Sequence, residues 1–178
     1  MKLYKLLYVV IIVLAVGLIA FIPVEDKSAD RLEIGAKAPL TDVEVTDVSG
    51  KVLTLGEVAK ENGLLVNFSC NTCPWVKAWE DRYNPIADLA KKNDIGVIAL
   101  NPNAAIRDGG ESMEDMKARA EASGYDFYYA LDEGAKFADA FGATRTPDIF
   151  LFNGNMELVY TGAIDDDAKS VENVEQHY

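Results

Sequence analysis

The stretch LLVNFSCNTCPWVKAW, residues 64–79, constrains the fold of this chain more tightly than any other. Leu64 to Phe68 form a nearly continuous apolar run, the pattern of a buried strand. A short polar junction follows, and it holds both cysteines of the chain, Cys70 and Cys73. Next comes Pro74, a residue tolerated in a helix only in the first turn. Trp75, Trp79, Tyr83 and Ile86, with Leu89 or Ala90, then recur at spacings of three and four, which marks one apolar helix face. Pro85 interrupts that pattern and is expected to kink the helix. Strand, cysteine pair and helix therefore follow one another without a linker.

The same alternation continues along the chain. VEVTDVSGKVLTL alternates apolar and polar positions around Ser49-Gly50 and predicts a hairpin early in the domain, and GEVAKENG predicts a short helix. IGVIAL reads as a buried strand, SMEDMKARAEASG as a helix stopped by Gly124, DFYYAL as a strand, and EGAKFADAFG as a helix stopped by Gly142. PDIFLF and MELVYTG flank Asn153-Gly154-Asn155, a strong hairpin signal. Strands alternating with helices and closed by an antiparallel hairpin predict an α/β domain over residues 37–178, with a mixed central β-sheet flanked by helices. The acidic tail after Asp165 is read as the start of a last helix that stops early. With 178 residues, 49% of them hydrophobic, the chain can build one core without relying on disulfides.

The first 36 residues differ from the rest. Lys2 and Lys5 precede an uncharged apolar run from Leu6 to Ile22, closed by Pro23. As a helix this run would reach about 25 Å, near the lower limit for spanning a bilayer. Residues 1–22 are read as an uncleaved signal anchor, with a cleaved signal peptide as the alternative, although Ala20-Phe21-Ile22 is a poor cleavage site. Residues 23–36 are polar and charged, and read as a linker. In both readings the lysines stay cytoplasmic and the domain is exported, to the periplasmic side of the cell membrane or released there. The only membrane contact expected is through this N-terminal helix. A net charge of −12 argues against nucleic acid and anionic lipid headgroups as partners, since both are polyanions.

Three readings of the cysteine pair can be weighed on chemistry. A structural zinc site needs four ligands, and the chain offers two cysteines and one histidine, His177, in the tail. A disulfide closing only four residues would restrict the unfolded chain very little. A redox dithiol fits the placement. At the junction of strand and helix, the first sulfur is expected to sit at the helix N-terminus, where unpaired amides favour thiolate over thiol. On this reading Cys70 is the nucleophile and Cys73, one turn later, resolves the mixed disulfide, with no metal or organic cofactor required.

Taken with LLVNFSCNTCPWVKAWEDRYNPIADLA, the stretches IGAKAPLTDVEVTDVSGKVLTLGEV, IGVIALNPN and FGATRTPDIFLFNGNMELVYTGAIDD resemble the thioredoxin superfamily over most of residues 34–167. The nearer resemblance is to the redoxin branch, which includes peroxiredoxin-like proteins and membrane-anchored thiol–disulfide oxidoreductases. It implies a thioredoxin-like fold in which Thr146-Pro147 is a cis-proline turn facing the CxxC pair, with the backbone before the proline pairing with a substrate's extended chain. Read from the residues alone, Pro147 fits a strand-initiating proline as well as a cis one.

Departures from that family are specific. Ser69 stands where thioredoxins carry an aromatic residue. The buried proton-relaying acid of thioredoxins is absent, its place falling on Asn67 by strand motif or Leu64 by spacing. Glu80, on the face of Cys73 with Lys77 between, is a candidate substitute acting through water, against the plainer reading of a solvated Lys/Glu pair. Asn67 also occupies the position of the peroxiredoxin threonine, three residues before the first cysteine. Arg145 is a candidate substrate or peroxide contact, against the plainer reading of a surface arginine.

The resulting expectation is an exported thiol–disulfide oxidoreductase acting on protein thiols and disulfides, recharged by a second redox partner. Cys70 and Cys73 carry the chemistry, Thr146 and Pro147 hold the substrate, and Asn67, Glu80 and Arg145 support. Two alternatives stand beside it: a thiol peroxidase with Cys70 peroxidatic and Cys73 resolving, and a redox-inert binding module on the same fold.

Overall fold

A computed structural model describes residues 30–168 and 170–177. The Leu6–Ile22 run and residues 23–29 of the linker lie outside the described residues. Among the described residues, no helix is long and apolar enough to cross a membrane.

The chain forms β1 (Glu44–Asp47), β2 (Val52–Thr54), α1 (Leu55–Val58), β3 (Gly63–Phe68), α2 (Pro74–Trp79), α3 (Tyr83–Lys92), β4 (Ile95–Asn101), α4 (Met113–Ser123), β5 (Tyr128–Leu131), α5 (Lys136–Phe141), β6 (Asp148–Asn153) and β7 (Leu158–Gly162). Four strands lie in the order β2-β1-β5-β4 and three in the order β3-β6-β7. Strands β3 and β4 run side by side, and past the end of β3 the Ser69 amide donates to the Leu100 carbonyl at 2.8 Å. Strands β4 and β5 are parallel, while β1 pairs antiparallel with β2 and β5, and β6 with β3 and β7, so the arrangement is mixed.

Alternation along the strands divides the core into two layers. Leu64, Val66 and Phe68 of β3, Ile98 and Leu100 of β4, and Phe150 and Phe152 of β6 face one side, where α1 and α5 cover them with Leu55, Val58, Phe137 and Phe141. Phe141 meets Phe68, Phe150 and Phe152 edge to face, with ring centroids 5.3–5.8 Å apart. On the other side Ile149 packs with Val76, Tyr83 and Ile164, and Ala99 with Met116, Ala120 and Tyr129.

Local signals account for the helix ends. Ser112 and Asp115 form a reciprocal capping box at the start of α4, and Gly124, with φ +62°, closes it. Gly142 closes α5 at φ +63°, and a Cβ there would come within 2.5 Å of Arg31 Cα, so only glycine lets the entering chain lie against this helix end.

The long helix expected after the cysteines is two helices, α2 and α3, separated by a 3₁₀ turn over Glu80–Arg82. Pro85 explains the break: it has no N–H to give, and in a continuous helix its ring would meet the carbonyl four residues earlier. The apolar face is not continuous either. Trp75 is 61% exposed and Leu89 is exposed, while Tyr83 and Ala90 are buried. Among its described residues the tail forms a short 3₁₀ turn, Val171–Asn173, in place of the expected helix start. Asp165, just beyond β7, accepts from Trp79 Nε1 at 2.9 Å and from Arg82 Nε at 3.0 Å, tying the chain after the sheet to the α2 end.

Candidate active site

The helix after the dithiol starts later than its sequence suggests. Cys73, not Cys70, is the N-cap residue of α2: its carbonyl accepts the Lys77 amide at 3.2 Å, and Pro74 takes the first helical position. Proline favours that position because its fixed φ is already helical and its missing N–H would have had no partner. Residues 70–73 are thus a turn joining β3 to α2. The expectation that Cys70 occupies the helix N-terminus is corrected: the N-cap is Cys73, whose thiol makes no capping hydrogen bond.

Both cysteines are free thiols. Cys70 is only 2% exposed, packed with Val76, Tyr83, Ile149 and Ile164, whereas Cys73 is half-buried. Thr146-Pro147, leading into β6, is a cis peptide and faces the pair. The Thr146 hydroxyl shares a hydrogen bond with Cys70 Sγ at 3.2 Å, and the Thr146 carbonyl lies 3.5 Å from Cys73 Sγ. One residue thus touches both sulfurs.

The environment separates the two thiols. Burial pushes the Cys70 thiol up to about 11, more than the Thr146 hydroxyl draws it down. Burial also opposes the Cys73 thiolate, but the Thr146 hydroxyl, the amides of Val76 and Trp75 and the Cys70 thiol outweigh it and hold Cys73 below the usual thiol range.

Beneath the turn lies a carboxylate that the sequence did not mark. Glu111 is fully buried just before the α4 cap. Its Oε2 accepts from the Asn71 amide at 2.8 Å and from Asn101 Nδ2 at 2.7 Å; its Oε1 accepts from the Thr72 amide at 2.8 Å and the Thr72 hydroxyl at 2.6 Å. Burial alone would raise the Glu111 pKa, but these donors outweigh it and hold the carboxyl below its ordinary range. Tyr129 extends the network, donating to Asn71 Oδ1 at 2.9 Å, and Asn71 Nδ2 donates to the Gly110 carbonyl at 2.9 Å. Both residues between the cysteines are therefore anchored from below. The Ser112 capping box could have drawn attention to this segment, but nothing local says that Glu111 faces the dithiol turn.

The remaining candidates fall in three places. Asn67 is buried on β3 with no hydrogen-bond partner at Oδ1 among the described residues, beside Tyr83, whose hydroxyl shares a 3.1 Å hydrogen bond with Ser69. Glu80 is not directed at either sulfur: it accepts from Arg119, Ser123 and Tyr125, which occupy its carboxylate. Arg145 is exposed at the rim of a cavity of about 370 Å³ shared with Thr146, Asn103 and Asp139, and its Nε is 3.6 Å from Asp148. Asp148 is buried and held mainly by Arg31, which donates to both its oxygens at 2.7 and 2.8 Å. His177 pairs through its backbone with Asp165 in the tail.

Residues 33–177 match the Redoxin family model. Among curated proteins, the thiol-disulfide oxidoreductase ResA of Bacillus anthracis is 29% identical over 89% of this chain and 88% of its own length. The crystal structure of an uncharacterized conserved protein from Geobacillus kaustophilus is 32% identical, with a TM-score of 0.73 over 78% of this chain and 72% of that one. PrxQ from Xylella fastidiosa, in a cysteine-to-serine mutant, shares the fold at a TM-score of 0.61 with 14% identity, over 74% of this chain and 85% of that one. Thioredoxin-like architecture and a family match across nearly all the described residues converge, and the chain belongs to the Redoxin family.

Proposed function

We propose that this chain is a thiol–disulfide oxidoreductase that works through the Cys70–Cys73 couple on protein thiols and disulfides. The observation that carries the reading is the pair of free thiols converging on Thr146 beside the cis proline, one buried and one open to a partner. The ResA relatives, named as thiol-disulfide oxidoreductases, support the same chemistry. In the reducing direction a thiolate attacks a substrate disulfide, a mixed disulfide forms, and the second cysteine displaces the substrate. On this reading the Thr146-Pro147 backbone pairs with an extended substrate chain.

Export and tethering belong to this proposal through the Leu6–Ile22 run and its flanking lysines. The peroxidase alternative gains no specific support, since Asn67 replaces a hydroxyl-bearing residue and Arg145 lies beside Asp148.

The test is electron transfer from the pre-reduced full chain to a protein disulfide such as that of insulin. Two electrons passed per molecule, with a Cys70–Cys73 disulfide as product, is the expected result. An intact dithiol that exchanges with no disulfide would overturn the reading.

A further inference from the structure

The turn between the cysteines is held from a distant part of the chain. Asn71 and Thr72 give their amides to the buried Glu111 carboxylate, at 2.8 Å each. Asn71 Nδ2 adds a bond to the Gly110 carbonyl at 2.9 Å, and a Cβ on Gly110 would stand 3.0 Å from Thr72 Cγ2, so the turn rests directly on this segment. Glu111 is fixed in its turn. Asn101, at the end of β4, donates to it at 2.7 Å, and Arg107 Nη1 bonds both Asn101 Oδ1 at 2.9 Å and the Glu111 carbonyl at 3.2 Å. A strand end in the centre of the fold therefore sets where the turn stands.

The two cysteines at the ends of that turn converge on Thr146, Cys70 Sγ on its hydroxyl at 3.2 Å and Cys73 Sγ on its carbonyl at 3.5 Å. Closing a disulfide between them is favoured in proportion to their effective concentration towards each other. A mobile turn lowers that concentration and a pinned one raises it.

Resting on the oxidoreductase reading, we propose that Glu111 is a positioning residue for the dithiol: it clamps the turn in both redox forms, keeps the two sulfurs together and poises the couple towards the disulfide. Its charge acts in the same sense. A fixed anion near Cys70 opposes a thiolate there, and a reduced form that gains less from thiolate stabilisation gives up its electrons more readily.

The equilibrium that reads this poise is exchange with glutathione. When glutathione disulfide oxidises the protein, the Cys70–Cys73 bond forms, the glutathione S–S bond breaks, and the two thiol protons pass through solvent to the two glutathione sulfurs. Two electrons leave the dithiol.

The full chain, equilibrated in glutathione buffers of graded ratio at pH 7, is expected to form the Cys70–Cys73 disulfide with an equilibrium constant that falls about tenfold in Glu111→Ala, equivalent to about 30 mV. Glu111→Gln keeps the volume but sets its amide nitrogen against two of the four donors, and should lower the constant at least about threefold. Leu53→Ala, in the core beneath the far edge strand β2, should destabilise the fold yet leave the constant within about twofold of wild type. If Glu111→Ala does not fold, Glu111→Gln and the unaltered chain decide the matter: in the latter the Asn71 and Thr72 amides should exchange their hydrogens at least about a hundredfold more slowly than free chain in both redox forms. Wild-type constants in both Glu111 variants, an equal fall in Leu53→Ala, or rapid exchange of both amides in either form overturns the clamp while leaving the dithiol function intact. A wild-type chain that never forms the disulfide overturns both.

Discussion

Glu111 Oε2 accepts the Asn71 amide at 2.8 Å, so a carboxylate 40 residues further along the chain holds the turn between the two cysteines. With Oε1 on Thr72, that side chain satisfies three donors of the dithiol turn and one from Asn101. Removing a buried acceptor leaves those donors unpaired, which costs more than the bonds themselves contributed. Glu111→Ala is expected to destabilise the protein by about 3–5 kcal/mol in denaturant unfolding. Thr72→Val should lose about 1 kcal/mol and Thr72→Ser far less, since serine keeps the hydroxyl. A Glu111→Ala loss below about 1 kcal/mol would remove the anchoring role.

The same carboxylate sets a pH dependence whose sign follows from linkage. Its folded pKa lies below the ordinary 4.5, so in that acid range the unfolded chain binds more protons and stability rises with pH. Its contribution is full above about 4.5 and is lost as pH falls through the folded value. The stability gap between wild type and Glu111→Ala should therefore narrow as pH falls from 7 towards 3. A gap that widened on acidification would contradict this.

Asp148, beside Pro147, accepts two hydrogen bonds from the Arg31 guanidinium, which also donates to the Thr161 hydroxyl and lies 4.8 Å from the Phe150 ring centroid. Asp148→Ala leaves the part-exposed Arg31 with Thr161 as its hydrogen-bond partner and is expected to cost about 1–3 kcal/mol. It should also slow disulfide exchange, because the Thr146 turn leads directly into this residue. Unfolding curves read the first effect and turnover under native conditions the second.

Phe141 meets three other rings in the core, and Phe141→Ala should cost about 3–5 kcal/mol. A loss of about 1 kcal/mol would mean that the surrounding rings collapse into the space.

Trp75 and Val76 are neighbours with opposite burial, so their alanine variants should separate. Trp75→Ala is expected to change stability by less than about 1 kcal/mol, and Val76→Ala to cost about 2 kcal/mol. A Trp75→Ala loss as large as about 2 kcal/mol would restore Trp75 to the buried face suggested by periodicity.

The strand runs around Leu64, Ile98 and Phe150, the glycine stops at Gly124 and Gly142, and the Ser112 cap were legible in the sequence because each is written locally. Strand alternation, left-handed backbone at a helix end and side-chain capping depend on a few neighbouring residues. Pro85 was legible as an interruption, but the number of residues it would displace from helix was not. A 3₁₀ turn over Glu80–Arg82 separates α2 from α3, and Trp75 on α2 is exposed.

By itself the sequence determined the order strand, cysteine pair, helix, the alternation that makes the domain α/β, and the presence of a proline before β6. Only the tertiary structure decided which sulfur is open, which carboxylate holds the turn, and that Glu80 is engaged with Arg119 rather than with the dithiol. The reason is physical: exposure and long-range hydrogen bonds depend on surfaces brought together across the sheet, and partners 39 and 40 positions apart leave no periodic trace in the chain.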